Sequence, residues 1–253
     1  MSAPGDINLP TDGVAAAAAP SPDTPLARRV LSPRWLVALA WLAFQLYLLW
    51  EPVPLQIARP VHICLAIATV FLWWPLRKGE GGAWRSILDW LLLAGTAAVL
   101  AYYLADFDRL YTRMENVDDV LARDLVFGTL ALALILECVR RVVGWSLLWV
   151  IAGFVAYAFL GRWFPGWLSF QGFDFPLFIE IMTMATHGIL GVTTETSVNF
   201  VWYFILFGVV YSATGGGQLF IDAALRLVGR RAGGAAKAEI VSSAMFGTIS
   251  GSA

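Results

Sequence analysis

The sequence has little charge, few cysteines and almost no histidine. Asp, Glu, Lys and Arg make up 14% of its 253 residues, against about 25% in soluble domains. A chain so poor in charge has too little polar surface to face water all round, which excludes an ordinary soluble domain and implies a membrane protein. Neither sign is in excess: the net charge of −1 excludes a strongly basic nucleic-acid binder. Cys64 and Cys138, the only cysteines, are too few for a disulfide framework or a zinc site. Both sit in apolar stretches and read as small buried hydrophobes. What is abundant is apolar: 59% hydrophobic residues and twelve Trp, with a mean hydropathy of +0.70.

Residues 1–27 stand apart. They are rich in Pro, Ala, Asp and Gly, include a run of alanines at 15–19, and have no periodic apolar face. This predicts a disordered cytoplasmic tail. Arg28-Arg29 then precede an apolar stretch with no small-residue cleavage site after Trp50. That reads as a retained signal anchor and not as a twin-arginine signal.

Six apolar runs follow: Arg34–Trp50, Pro60–Leu76, Ile87–Ala105, Asp124–Val139, Val142–Trp163 and Ser197–Ala213. Each approaches the roughly 20 residues that cross a bilayer. Pro176–Leu190 is shorter and amphipathic, and reads as interfacial or re-entrant. Between Asp124 and Trp163 a single straight helix would be about 60 Å long, twice the hydrocarbon thickness. The chain must therefore break near Arg140–Gly144. The expected fold is an all-α integral membrane protein with about six transmembrane helices, interfacial helices and the first arm of a re-entrant helical hairpin.

Positive charge orients these spans. With the N-terminus in the cytoplasm, twelve of the seventeen Lys and Arg residues fall on inside segments, as the positive-inside rule requires. Arg59, Arg109, Arg113, Arg123 and Arg162 fall outside. Trp50, Trp73, Trp74, Trp163 and Trp167 lie near span ends, where aromatic belts form.

The last part of the chain carries the functional signals. Gly215-Gly216-Gly217 is a flexible break and a candidate hinge. After it, Asp222, Arg226 and Arg230 are spaced i, i+4, i+8 on one face of an amphipathic helix over Gln218–Arg230, which predicts an interfacial position. From Lys237 to Gly251 a helix would reach about 21 Å, roughly to the bilayer midplane. Glu239, Ser243, Gly247 and Ser250 share one face of it; Val241, Met245 and Ile249 share another. A helix that breaks at Ser250-Gly251-Ser252 frees backbone carbonyls which, with the hydroxyls, suit Na⁺. A following helix N-terminus would offer N–H groups to a carboxylate. The same small residues also suit a helix-packing seam, and spacing alone leaves both readings standing.

The stretch from Gly229 to Glu239, with Gly247-Thr248-Ile249-Ser250-Gly251-Ser252-Ala253, resembles the fused permeases of tripartite ATP-independent periplasmic (TRAP) transporters, of the kind paired with TAXI-type binding proteins. Gly215–Asp222 and Glu137–Gly144 are similar to the same family, so the resemblance covers roughly residues 120–253. It implies a permease of the bacterial inner membrane that uses a Na⁺ gradient to import organic acids handed over by a periplasmic binding protein. It implies no cofactor beyond Na⁺ as coupling ion, and no covalent chemistry. Residues 28–140 would then be a four-span small-subunit-like region, and residues 141–253 the start of the large transport subunit, ending within its first hairpin. The resemblance assigns substrate and ion binding to Ser250, Gly251 and Ser252, with Thr248 beside them and Na⁺ at Ser250 and Ser252. His187 stands where relatives are expected to carry an acidic residue.

Two rival readings are weaker. An intramembrane serine hydrolase would need a base for Ser250, and neither His62 nor His187 follows it in the chain. A non-transporting membrane scaffold would not need Glu180, Asn199 and Glu239 within its later segments, since intramembrane polar groups are costly, although interfacial or loop placement would also account for them.

Overall fold

The computed structural model describes residues 32–75, 87–115, 117–229 and 233–250. The expected N-terminal tail and the basic residues Arg77, Lys78, Arg85, Arg230 and Arg231 lie outside them. The described residues form helices and no strand. They are α1 (Pro33–Trp50), α2 (Leu55–Trp73), α3 (Ile87–Ala105), α4 (Phe107–Thr112), α5 (Ala122–Val142), α6 (Trp145–Leu160) and α7 (Phe175–Thr183). After these come α8 (Val192–Ala213), α9 (Gly216–Val228) and α10 (Gly234–Ser250). This is an all-α membrane protein.

The core lies between α2, α3 and α5. Cys64, Ile67 and Phe71 meet Val99, Tyr102 and Tyr103 from α3 and Ala131 and Leu134 from α5. Gly128 of α5 lets α7 approach closely: a Cβ there would stand 2.5 Å from Ile179 Cγ2 and 2.7 Å from Thr183 Oγ1. This is the small-residue contact that membrane helices use in place of hydrophobic collapse. By contrast α6 buries no residue and α1 buries only Gln45.

Charge sits at the two ends of this core. At one end Asp124 takes Arg109 and the Tyr102 hydroxyl, Asp106 takes Arg109 and Arg123, and Arg113 pairs with Glu180 at 3.0 Å. At the other, Arg141 pairs with Asp89 and Glu137, each at 2.7 Å, and its guanidinium lies 4.8 Å from the centre of the Phe71 ring. Asp124 and Glu137 lie on one helix about 20 Å apart, so two neutralised charge layers bracket an apolar slab.

These pairs explain where the observed spans depart from the sequence reading. Among the described residues five helices, where about six were expected, are long and apolar enough to cross a membrane. The difference is α5, whose 21 residues carry charged pairs at both ends. It also runs on to Val142, so Arg140 and Arg141 are helical and paired. The chain then breaks where expected, at Gly144, whose φ of 100° favours glycine. Helix α2 begins at Leu55, not Pro60, so Pro60 lies inside it and Arg59 is a buried helical residue. The expected Pro176–Leu190 helix stops at Thr183. There the chain turns back: Ile189 N–H reaches the Met182 carbonyl at 2.8 Å, and a Cβ at Gly188 would lie 2.1 Å from the Ile181 carbonyl. Glu180 is not in a loop but buried in α7 against Arg113. Asn199 and Glu239 are exposed on helices.

Candidate functional site

The predicted site region is built by α8, α9 and α10. Helix α8 ends at Ala213, and the turn beyond it is made by Thr214 and Gly215, with Gly215 in the left-handed region at φ 84°. Gly216 and Gly217 are already the first residues of α9, so the expected three-glycine break is one residue wide. Gly216 is buried under the Tyr211 ring, where a Cβ would come within 2.2 Å. Tyr211 in turn meets Phe220, ring centres 5.4 Å apart. The glycines thus seat an aromatic wedge that sets the angle between α8 and α9.

Asp222 and Arg226 lie exposed on α9 as the spacing predicts, and Gln218 donates to Asp222 at 3.2 Å. Leu219 and Leu227 on the same helix are 63% and 68% exposed. Charged and apolar faces are therefore both uncovered, the condition of a helix lying at a water–membrane boundary.

From α9 the chain doubles back through Gly233, φ 72°. A Cβ on Gly234 would strike the Gly229 carbonyl at 2.2 Å. Helix α10 then packs along α9 and against α8. Gly234 and Ala238 are buried and Val241, Ser242 and Met245 half-buried, whereas Glu239 and Ser243 are exposed. Val241 and Met245 thus turn inward and Glu239 and Ser243 outward, as the spacing predicts, but Gly247 of the expected polar face is half-buried and Ile240 is exposed. Helix α10 continues to Ser250, about 25 Å along its axis. The side chains of Thr248 and Ser250, and residues Gly251 and Ser252 entire, lie outside the described residues. Among the described residues no three His, Cys, Asp or Glu side chains come close enough to share a metal ion.

A second polar site was not foreseen. His62 of α2 is 5% exposed and Gln45 of α1 wholly buried. The His62 Nδ1 faces the Trp41 indole N–H at 3.3 Å and the Gln45 amide nitrogen at 2.5 Å, while Nε2 lies 3.1 Å from Ser197 Oγ on α8. Three residues along α2, Arg59 binds Glu195 and the Leu190 carbonyl at 2.5 and 2.8 Å. The sequence signal was the presence of Gln45, Arg59 and His62 in or beside apolar runs, which is costly without partners. Trp41 and Gln45 lie within about 20 positions of His62, but Leu190, Glu195 and Ser197 lie more than 130 positions from the residues they meet.

The Ser197–His62 contact is not a nucleophile and its base. The indole N–H is an obligate donor, so Nδ1 must accept and Nε2 carries the proton. Such a histidine donates to the serine and cannot take its proton. His187 is 80% exposed, 3.8 Å from Glu115, and belongs to the surface.

Residues 130–253 match the family model of the tripartite ATP-independent periplasmic transporter, DctM component. No curated protein and no solved structure matches the chain. The matched stretch begins inside α5 and takes in the Gly215 turn, the α9 face and all of α10. Over this stretch, just under half of the chain, the match supports a TRAP transporter permease, a membrane transport component and not an enzyme.

Proposed function

We propose that this permease imports organic acids by coupling their entry to Na⁺, receiving them from a periplasmic binding protein. In this reading it lies in the bacterial inner membrane with its N-terminus in the cytoplasm. It is of the fused, TAXI-associated kind, with residues 28–140 as the small-subunit-like region and the transport subunit beginning near residue 141. The observation that carries the proposal is the family match over residues 130–253. It is supported by α10, which leaves Glu239 and Ser243 exposed. A carboxylate and Na⁺ would meet at Ser250, Gly251 and Ser252, where hydroxyls and freed carbonyls supply the hard oxygen ligands a small cation prefers. Gly215, Gly216 and Gly217 join this hairpin arm to α8, and Asp222 and Arg226 keep α9 at the interface while the arm moves.

Na⁺ binding is testable before any substrate is known. A ligand present at ten to a hundred times its Kd stabilises the folded state by about 1.4–2.7 kcal/mol. The full-length permease in nanodiscs should therefore melt several degrees higher in 100 mM NaCl than in 100 mM choline chloride. Ser250→Ala should lose most of that difference. An equal melting temperature in the two salts would remove Na⁺ from the proposal. Labelled succinate uptake into proteoliposomes, with the system's binding protein added, then tests the acid.

A further inference from the structure

Helix α8 is the element that touches both halves of the structure. Its first turns pack on α2, and its later turns pack on α9 and α10. Between these two regions the helix is irregular: Ser197–Val201 forms a π-turn. Such turns insert one extra residue, weaken the hydrogen-bond ladder and recur at functional sites.

Two contacts hold α8 just before and at the start of this turn. Arg59 binds Glu195 at 2.5 Å. His62 Nε2 meets Ser197 Oγ, the first residue of the π-turn, at 3.1 Å. His62 is itself fixed in rotation by α1, through Trp41 and Gln45 on its other nitrogen. The Trp41 ring also stands edge-on to the imidazole, centres 5.2 Å apart. With Nδ1 accepting, the Gln45 amide turns its nitrogen to His62, and its Oε1 is left buried without a partner. A buried carbonyl left bare is unfavourable. It is tolerated here in an arrangement in which Gln45 and Trp41 share the single lone pair of Nδ1 and leave the Nε2–H for Ser197. Beyond the turn, α1 touches α8 again through Tyr203, whose hydroxyl donates to the Gln45 backbone carbonyl at 2.8 Å.

We propose that His62 is a positioning residue for transport. Its Nε2–H, with the Arg59–Glu195 pair, clamps the start of α8 to α1 and α2, and the π-turn directly after the clamp is the joint from which the rest of α8 carries the α9–α10 hairpin. The functional weight of the clamp rests on the permease reading above. The clamp itself is tested without substrate or Na⁺, so the two fail separately.

The test is amide hydrogen exchange on the full-length protein in nanodiscs, comparing wild type with His62→Leu, His62→Gln and Ser197→Ala. Losing one such hydrogen bond in a membrane protein weakens it by a few-fold. We expect His62→Leu and Ser197→Ala each to speed exchange about three- to tenfold over 197–213 and in α10, with α3 and α5 unchanged. The Leu/Ala double variant should exchange no faster than either single one. His62→Gln, which keeps an N–H donor near the Nε2 position, should restore most of the protection. Equal acceleration in α3 and α5 would show a general loss of stability and overturn the clamp. So would an unprotected His62→Gln, or unchanged exchange in Ser197→Ala, which keeps the test open should His62→Leu fail to fold.

Discussion

Asp124→Asn is the sharpest test of how the charged ends are held. Asp124 is wholly buried at the first turn of α5. One oxygen accepts from the Tyr102 hydroxyl at 2.6 Å and from Arg109 at 2.5 Å; the other accepts from Arg109 at 3.0 Å and from the Leu121 N–H at 3.1 Å. Asparagine has the same shape but one acceptor fewer, so its amide must point N–H groups at a donor. If the amide faces Tyr102, that hydroxyl can turn and accept, but one Arg109 N–H loses its partner and the charge pair is gone. Removing one member of a buried pair costs about 3–5 kcal/mol. Arg109 is 28% exposed and keeps Asp106 at 3.0 Å, which reduces the cost to about 2–3 kcal/mol. The expected fall in melting temperature is about 4–12 °C, read on purified protein in nanodiscs at one scan rate. Asp106→Asn is the control. Its second partner, Arg123, is 49% exposed, and the loss should stay near or below about 1 kcal/mol. If Asp124→Asn melts with wild type, or Asp106→Asn costs as much, the argument from burial is wrong. Arg109→Met combined with Asp124→Asn should cost less than the sum of the two, since each change removes the other's stranded partner.

Two further outcomes are expected. Gly128→Ala should destabilise by about 1–3 kcal/mol through overpacking, because the added methyl meets Ile179 and Thr183 within 2.7 Å; combined with Ile179→Ala, itself a cavity-forming change, the loss should be smaller than the sum of the two single losses, and full additivity would place the strain elsewhere. For orientation, a membrane-impermeant maleimide should label Trp167→Cys, a position 90% exposed, in intact spheroplasts, and Lys237→Cys only after the membrane is opened, both without the native cysteines; the reverse pattern would invert the topology.

The pairs themselves show where sequence reading stops. Arg113–Glu180 and Arg59–Glu195 join residues 67 and 136 positions apart. Nothing in local periodicity selects Glu180 over any other acid for Arg113. The sequence reading therefore left Glu180 open between an intramembrane position and an interface or loop, and put Arg59 on an outside segment just before the Pro60–Leu76 run. His62 was read only as a histidine that Ser250 could not use, because its real partner, Ser197, reaches it through the packing of α8 on α2. The π-turn in α8 was equally invisible, since Val192–Ala213 is apolar enough to read as one plain span.

What the sequence determined alone were the properties that depend on chain neighbours and on the solvent. Length and hydropathy set the spanning helices, because backbone polar groups in lipid must be satisfied within the segment. The glycine at 144 set the break after α5, because a φ of 100° excludes other side chains at little cost only for glycine. Residue spacing set the exposed charged face of α9 and put Glu239 and Ser243 on the open side of α10, because helical geometry repeats every 3.6 residues. Only the tertiary structure decided which charges neutralise which, that α5 carries paired charge at both ends, and that α8 is clamped before its irregular turn. Those choices depend on distances between helices, and a membrane helix has no hydrophobic drive of its own to pick one neighbour over another.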